Sequence, residues 1–212
     1  MTAASIDQLI QQPPYHSLGF ILAGGSSRRM GSDKAQLKVG QQTMLDIAAG
    51  VLHAAAVNQH FVIGGALADL VEQQSGRGPA SAICDVLARF SATEDSQGLA
   101  LFMPVDMPRL SVFSIDTLLE CARRNQQTVY YSAHYLPLVI PVNTQAQESA
   151  RKLIAADSSP SVRKLLASLN AQPVAFSGKV GELVNINRPE ELAELRSGVN
   201  TKPDRSLRSQ SE

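Results

Sequence analysis

Tryptophan is absent, cysteine occurs twice, and aromatic residues make up 5% of the 212 residues. Cys84 and Cys121 lie far apart and lack CxxC spacing, which argues against a zinc site built on thiolates. Both sit in apolar helical patterns, where buried, inert thiols are the simpler reading. Net charge is also missing: Lys plus Arg and Asp plus Glu number 19 each. That balance argues against a general nucleic-acid binder or a protein held on an anionic membrane, so any anion site has to be local. No apolar run is long enough to span a bilayer. The opening residues, MTAASIDQLIQQPP, lack the basic stretch and apolar core of a secretory leader. The expectation is a cytoplasmic protein without a membrane segment.

What is present fits one α/β domain. The chain is 44% hydrophobic and 18% charged, enough for a full core. Residues 1–16 read as a loose arm and 197–212 as a polar tail, leaving a domain over 17–196. Between them, short apolar runs alternate with helical patterns. Strands are expected at 18–23, 60–64, 99–105, 127–132, 136–142 and 172–177. Helices are expected from Thr43 as N-cap, at 66–74, 79–90, 111–124 (capped by Ser111), 144–155 and 161–169. LVNINRPEELAEL predicts a short strand, an Asn cap and a helix with two glutamates in its first turn. This alternation predicts a Rossmann-like fold: a single doubly wound, mostly parallel sheet flanked by helices. In such sheets ligands sit beyond the carboxyl ends of the strands, near a switch in strand order. The loops 24–34 and 104–108 leave strands at such ends.

The stretch LAGGSSRRMGSDK (22–34) crowds glycines, serines, two arginines and a lysine into one loop. It is neither a Walker A loop nor a GxGxxG fingerprint. The ingredients still suit a phosphate cradle. Gly24 and Gly25 allow a tight turn and close approach of the backbone to an anion. Ser26 and Ser27 can donate, Arg28 or Arg29 can fork onto phosphate oxygens, and Lys34 adds a point charge. Asp33 either orients Lys34 or faces solvent. Further on, MPVDMP (103–108) places Asp106 just past an apolar strand. A lone Asp after a strand is more often a turn residue or helix cap, but beside a phosphate cradle Asp106 is the best-placed acid for Mg²⁺, which takes one or two protein carboxylates.

LAGGSSRRMGSDK resembles the signature LAGGxSxRMGxDK of the MobA-like nucleotidyltransferases that make molybdenum cofactor dinucleotides. The likeness extends over roughly 18–195. It implies transfer of GMP from GTP to the terminal phosphate of molybdopterin cofactor, with release of pyrophosphate and Mg²⁺ as cofactor. LAGG, in place of the LAAG of related cytidylyltransferases, points to guanine through one residue, Gly24. By the resemblance, the main chain of Leu22, Ala23, Gly24 and Gly25 contacts the guanine and phosphates. Arg29 and Lys34 neutralise the triphosphate, Arg28 stands at a variable position, and Asp106 in a P-x-D-x-P element binds the metal. His134, Arg163, Asn185 and Asn187 match family positions that are candidates for binding the acceptor. Each also has a plain structural reading, Asn187 as a helix cap in particular. Molybdoenzymes or their chaperones are the partners the family implies.

Two departures stand beside the likeness. The family carries a polar Asn after its second strand, where this chain has Gly64-Gly65. It also carries an aspartate ahead of its Gly-Pro element, where VEQQSGRGP offers Glu72 before Gly78-Pro79. Both family residues help read guanosine. A diverged nucleotidyltransferase using CTP, another nucleotide or another phosphorylated acceptor stays open, as does a nucleotide- or pterin-binding protein without turnover.

Overall fold

A computed structural model describes residues 17–24, 33–70, 76–91, 98–157 and 159–197. The two terminal segments assigned to an arm and a tail, apart from Ser197, lie outside the described residues, as do Gly25, Ser26, Ser27, Arg28, Arg29 and Glu72. The strands are β1 (Ser17–Leu22), β2 (Lys38–Val39), β3 (Gln42–Thr43), β4 (Gln59–Ile63), β5 (Leu99–Pro104), β6 (Val129–Tyr131), β7 (Leu138–Pro141) and β8 (Gln172–Val174). The helices are α1 (Met44–Ala54), α2 (Pro79–Arg89), α3 (Val112–Asn125), α4 (Thr144–Ala156), α5 (Val162–Ser168) and α6 (Pro189–Ser197).

Six strands form one sheet in the order β4-β1-β5-β7-β6-β8, and β2 pairs with β3 in a separate small ribbon. β1 runs parallel to β4 and β5, and β6 parallel to β8; β7 is antiparallel to both of its neighbours. The expected mostly parallel sheet is therefore observed. Strand order reverses at β1, which has β4 on one side and β5 on the other, so a crevice opens between the ends of β1 and β5.

Alternate residues of each strand feed opposite faces, as the two-residue period dictates. Leu18, Phe20 and Leu22 of β1 join Phe102 of β5 and buried residues of α2, α4 and α5. Phe20 stacks on Phe102 with ring centroids 5.0 Å apart. Ile21, Leu101 and Met103 face the other way, into a core with α1, α3 and the C-terminal Leu183, Ile186 and Leu192. β1, β5 and β7 are buried along their length because both faces are covered, which is why they read as continuous apolar runs.

The caps follow the sequence. Thr43 accepts from the Asp46 amide at 3.0 Å while Asp46 accepts from the Thr43 amide at 2.9 Å, a reciprocal capping box at α1. Ser111 caps α3 by accepting from the Ser114 amide. Cys84 is buried and burial pushes its thiol up to about 12; Cys121 is half-buried.

Two expected elements are absent among the described residues. No helix starts at 66. Gly64 and Gly65, with φ of 71° and 77°, turn the chain back on β4. The amides of Asp69 and Leu70 donate to the Val62 carbonyl, and the Asp69 carboxylate accepts from the Val62 amide at 2.9 Å. A side chain that bonds the backbone locally competes with helix formation. No strand forms at 183–187 either. That segment passes the loop after β5, tied to it by the Ile186 amide donating to the Asp106 carbonyl at 2.8 Å.

Candidate active site

The crevice at the strand switch is a cleft lined by Leu22, Ala23, Gly24, Lys34, Pro79, Pro104, Val105, Asp106, Leu136 and Asn185. Leu22, Ala23 and Gly24 end or follow β1, and Pro104, Val105 and Asp106 end or follow β5. The Val105 amide donates to the Leu22 carbonyl at 3.2 Å, so the two strand ends stay zipped together up to the cleft. Pro79 is the first residue of α2, and Gly78 ahead of it has φ of 89°.

Lys34 and Asp106 meet here across 72 residues of sequence. The Lys34 Nζ donates to Asp106 Oδ2 at 2.9 Å and to Asn187 Oδ1 at 2.5 Å. Both charged side chains are mostly withdrawn from solvent, 19% and 15% exposed. Lys34 opens a short 3-10 turn, Lys34–Gln36, that Asp33 caps by accepting from the Ala35 amide at 3.0 Å. The other Asp33 oxygen accepts from the Ala66 amide at 3.4 Å. Asp33 thus holds no direct bond to Lys34. It fixes the turn that aims the lysine and braces the loop after β4.

Asn187 is not the side-chain cap its position suggests. Its amide oxygen is committed to Lys34, and the start of α6 is closed by Glu191, which accepts from the Asn187 and Arg188 amides. Asn185 lines the cleft two residues earlier, with buried Ile186 between them as anchor. Two buried side-chain oxygens in this cleft, Asp106 Oδ1 and Asn185 Oδ1, have no hydrogen-bond partner among the described residues. Buried oxygens without a donor are costly, about 1–3 kcal/mol each, so each calls for a partner that the described residues do not supply.

The main chain at 22–24 differs from the expected phosphate cradle. The amides of Ala23 and Gly24 both donate to the Ile63 carbonyl, at 2.9 and 3.2 Å. They continue the β1–β4 ladder and are not directed at an anion. Gly65 lies close by: a Cβ there would stand 3.3 Å from the Ala23 carbonyl oxygen and 3.5 Å from Asp33 Oδ2.

The remaining sequence candidates are less central. His134 lies two residues before the cleft-lining Leu136, in the turn between β6 and β7; burial holds its imidazole below the usual value, toward the neutral form. Arg163 is exposed on α5 and does not line the cleft. Arg29 and Gly25 lie outside the described residues.

Glu182 is the residue that sequence reasoning passed over. It is buried at 6% exposure, with Oε2 accepting from the Ser111 amide (3.3 Å) and the hydroxyls of Ser111 (2.7 Å) and Ser114 (2.6 Å). Its Oε1 accepts from the Lys179 amide at 2.9 Å. Burial alone would raise its carboxyl, but the bonds from Ser114, Ser111 and Lys179 together hold it below the usual range. The serines lie some 70 residues upstream, so no local pattern announces the pairing.

Comparison with known proteins places the family and the fold. The model of the MobA-like NTP transferase domain matches residues 19–174. The chain is 32% identical over 191 residues to a molybdenum cofactor guanylyltransferase of Xanthomonas euvesicatoria pv. vesicatoria, covering 88% of this chain and 96% of that one. It is 31% identical over 191 residues to a probable molybdenum cofactor guanylyltransferase of Mycobacterium avium, covering 84% and 93%. Among solved structures, molybdopterin-guanine dinucleotide biosynthesis protein A from Archaeoglobus fulgidus superposes with a TM-score of 0.66 at 16% identity, over 85% of this chain and 97% of that one. The 2-C-methyl-D-erythritol 4-phosphate cytidylyltransferase of Thermus thermophilus gives 0.61 at 16% identity, over 87% and 98%. The fold is thus shared by guanylyl- and cytidylyl-transferring proteins, while the sequence match is to the former, and the chain belongs to the MobA-like NTP transferase family.

Proposed function

We propose that the protein transfers GMP from GTP to the terminal phosphate of molybdopterin cofactor, releasing pyrophosphate. The observation that carries the reading is the meeting of Lys34, Asp106, Asn185 and Asn187 at the strand switch, with two buried oxygens that find no donor among the described residues. A phosphate oxygen of the acceptor attacks the α-phosphorus of GTP in line. The new O–P bond forms as the bond from the α-phosphorus to the bridging oxygen breaks, and the electron pair leaves with pyrophosphate. The attacking phosphate is already an anion, so no strong base is required. The protein's task is to position and to balance charge. Lys34, aimed by the Asp33-capped turn, is one cation for the triphosphate and the leaving group; Arg29, which the family signature pairs with it, lies outside the described residues.

Asp106 Oδ1 and Asn185 Oδ1 suit a hard cation. Both are oxygen donors, buried, in one cleft, and Mg²⁺ uses few protein ligands beside phosphate oxygens and water. When bound, Mg²⁺ would draw charge from the phosphate oxygens and hold them in line. The test is pyrophosphate release by the purified protein with molybdopterin cofactor, MgCl₂ and each nucleoside triphosphate in turn. Release with GTP alone supports the reading. Release with CTP and not GTP would assign the site to another base. Tight GTP binding with no release from any nucleotide would make it a binding protein.

A further inference from the structure

We propose that Glu182 is a positioning residue for this transfer: its buried carboxylate sets the segment carrying Asn185 and Asn187 against the loop carrying Asp106. The inference rests on the function proposed above. Residues 175–188 contain no helix or strand, yet they deliver one amide oxygen to the cleft and another to Lys34. An irregular segment places side chains accurately only if something other than a helix or sheet ladder fixes it.

Glu182 supplies that fixation. Its carboxylate accepts from four donors: the Lys179 amide within its own turn, and the Ser111 amide and the Ser111 and Ser114 hydroxyls across the gap. The last three belong to the first turn of α3, where the helix end favours an anion. The Ser111 cap of α3 stands five residues after Asp106, so the Asp106 loop and the asparagine segment are pinned to the same helix end. Ile186 makes the second pin, through its amide to the Asp106 carbonyl. The fit is close on the other side too. A Cβ on Gly178 would stand 2.7 Å from Ser114 Oγ and 2.4 Å from the Phe176 ring. Phe176 packs edge-on against Tyr131, whose hydroxyl donates to the Ser114 carbonyl at 2.6 Å. Burying a carboxylate here is a costly way to fill space, since an apolar side chain would do that more cheaply. What the carboxylate adds is direction: four donors define one place for the segment.

The test compares wild type, Glu182→Gln and Ser114→Ala in steady-state kinetics with GTP, Mn²⁺ and molybdopterin cofactor. Thermal melting and Mn²⁺ binding without nucleotide, by electron paramagnetic resonance of the free ion, accompany the kinetics. Glu182→Gln keeps the shape but sets an NH₂ against donors. The expected result is a folded variant with kcat down at least about tenfold, KM for GTP within about threefold of wild type, and Mn²⁺ affinity at least about threefold weaker. Ser114→Ala, which leaves the carboxylate three donors, moves kcat and Mn²⁺ affinity the same way by less. A folded Glu182→Gln with wild-type kcat and Mn²⁺ affinity overturns the proposal; if that variant does not fold, the same result from Ser114→Ala does. Wild type inactive with every nucleotide would instead defeat the proposed function, and the Mn²⁺ affinities would still decide the role of Glu182.

Discussion

Asp106→Asn separates charge from shape, and the structure gives opposite expectations for stability and turnover. On stability, two terms oppose each other. Lys34 loses an ion pair whose side chains are 19% and 15% exposed. Removing one partner costs up to about 1 kcal/mol at a fully exposed site and roughly 3–5 kcal/mol at a fully buried one. Lys34 keeps its bond to Asn187, which places this loss toward the low end. Against it, the variant no longer withdraws a negative charge from water, although its amide still leaves one buried polar atom without a partner among the described residues. The net change should stay within about 1 kcal/mol, or roughly 2–4 °C in Tm for a chain of this size. Turnover has no such offset. Loss of one preorganised electrostatic contact of this kind costs about 2.7–4 kcal/mol, or roughly 10²–10³ in kcat. Calorimetry and a pyrophosphate-release assay across a Mg²⁺ titration measure the two. Unchanged Mg²⁺-dependent turnover in the variant would refute the metal role. A fall in Tm beyond about 10 °C would show that the pair is chiefly structural, by the same conversion.

Lys34→Met should lower kcat by roughly 10²-fold, as expected for a charge-stabilising group, and weaken GTP binding in a titration; wild-type GTP affinity would remove Lys34 from the nucleotide site. Gly65→Ala and Gly76→Ala both force a left-handed φ on alanine, 77° and 81°, but only the first brings its Cβ against another group, the Ala23 carbonyl. The strain should cost each roughly 1–2 kcal/mol, while only Gly65→Ala should also raise KM for GTP; equal kinetics would uncouple that loop from the site. The carboxyl of Glu182 is held low in the folded protein, so its contribution is present above the unfolded value of about 4.3 and lost as pH falls through the folded one. Melting curves from about pH 6 to 3 should therefore steepen less for Glu182→Gln than for wild type, and parallel curves would contradict the assignment.

The strands and caps were legible because their causes are local. Thr43 with Asp46 three residues on, and Ser111 ahead of an apolar stripe, each declare a helix start within one turn. The buried runs at β1 and β5 declare a doubly covered sheet by having no polar face. The misreadings share one physical origin, the capture of a group by a distant partner or by a competing turn. Over 66–70, the described part of the expected helix 66–74, periodicity lost to two left-handed glycines and the Asp69 carboxylate. Asn187 has the chemistry of a cap, but Lys34, 153 residues earlier in the chain, takes its oxygen and Glu191 does the capping. Asp33 and Glu182 act through amides and hydroxyls that only the fold brings near. The pairing of Lys34 with Asp106 could be expected from function, but its distance and its third member could not.

The double glycine after β4 gave reason to doubt guanine, because a side chain that reads the base was expected there. The geometry supplies another cause for the glycine. A side chain at 65 would crowd the Ala23 carbonyl, and the amides of Ala23 and Gly24 are already spent on Ile63. Those two amides are therefore unavailable to a base, while the Ala23 carbonyl stands beside Gly65. Guanine carries an N2 amino donor and an O6 acceptor on either side of its N1–H, whereas cytosine carries an N4 amino donor. A main-chain carbonyl such as that of Ala23 accepts from an amino group only where the base brings that group within reach, so position can discriminate without a side chain. If the main chain reads the base in this way, the missing asparagine bears on how the base is held and not on which base is taken. Base preference measured across the four triphosphates, in wild type and in Gly65→Ala, separates the two: reading by the main chain requires that Gly65→Ala narrow the preference for GTP as well as weaken binding.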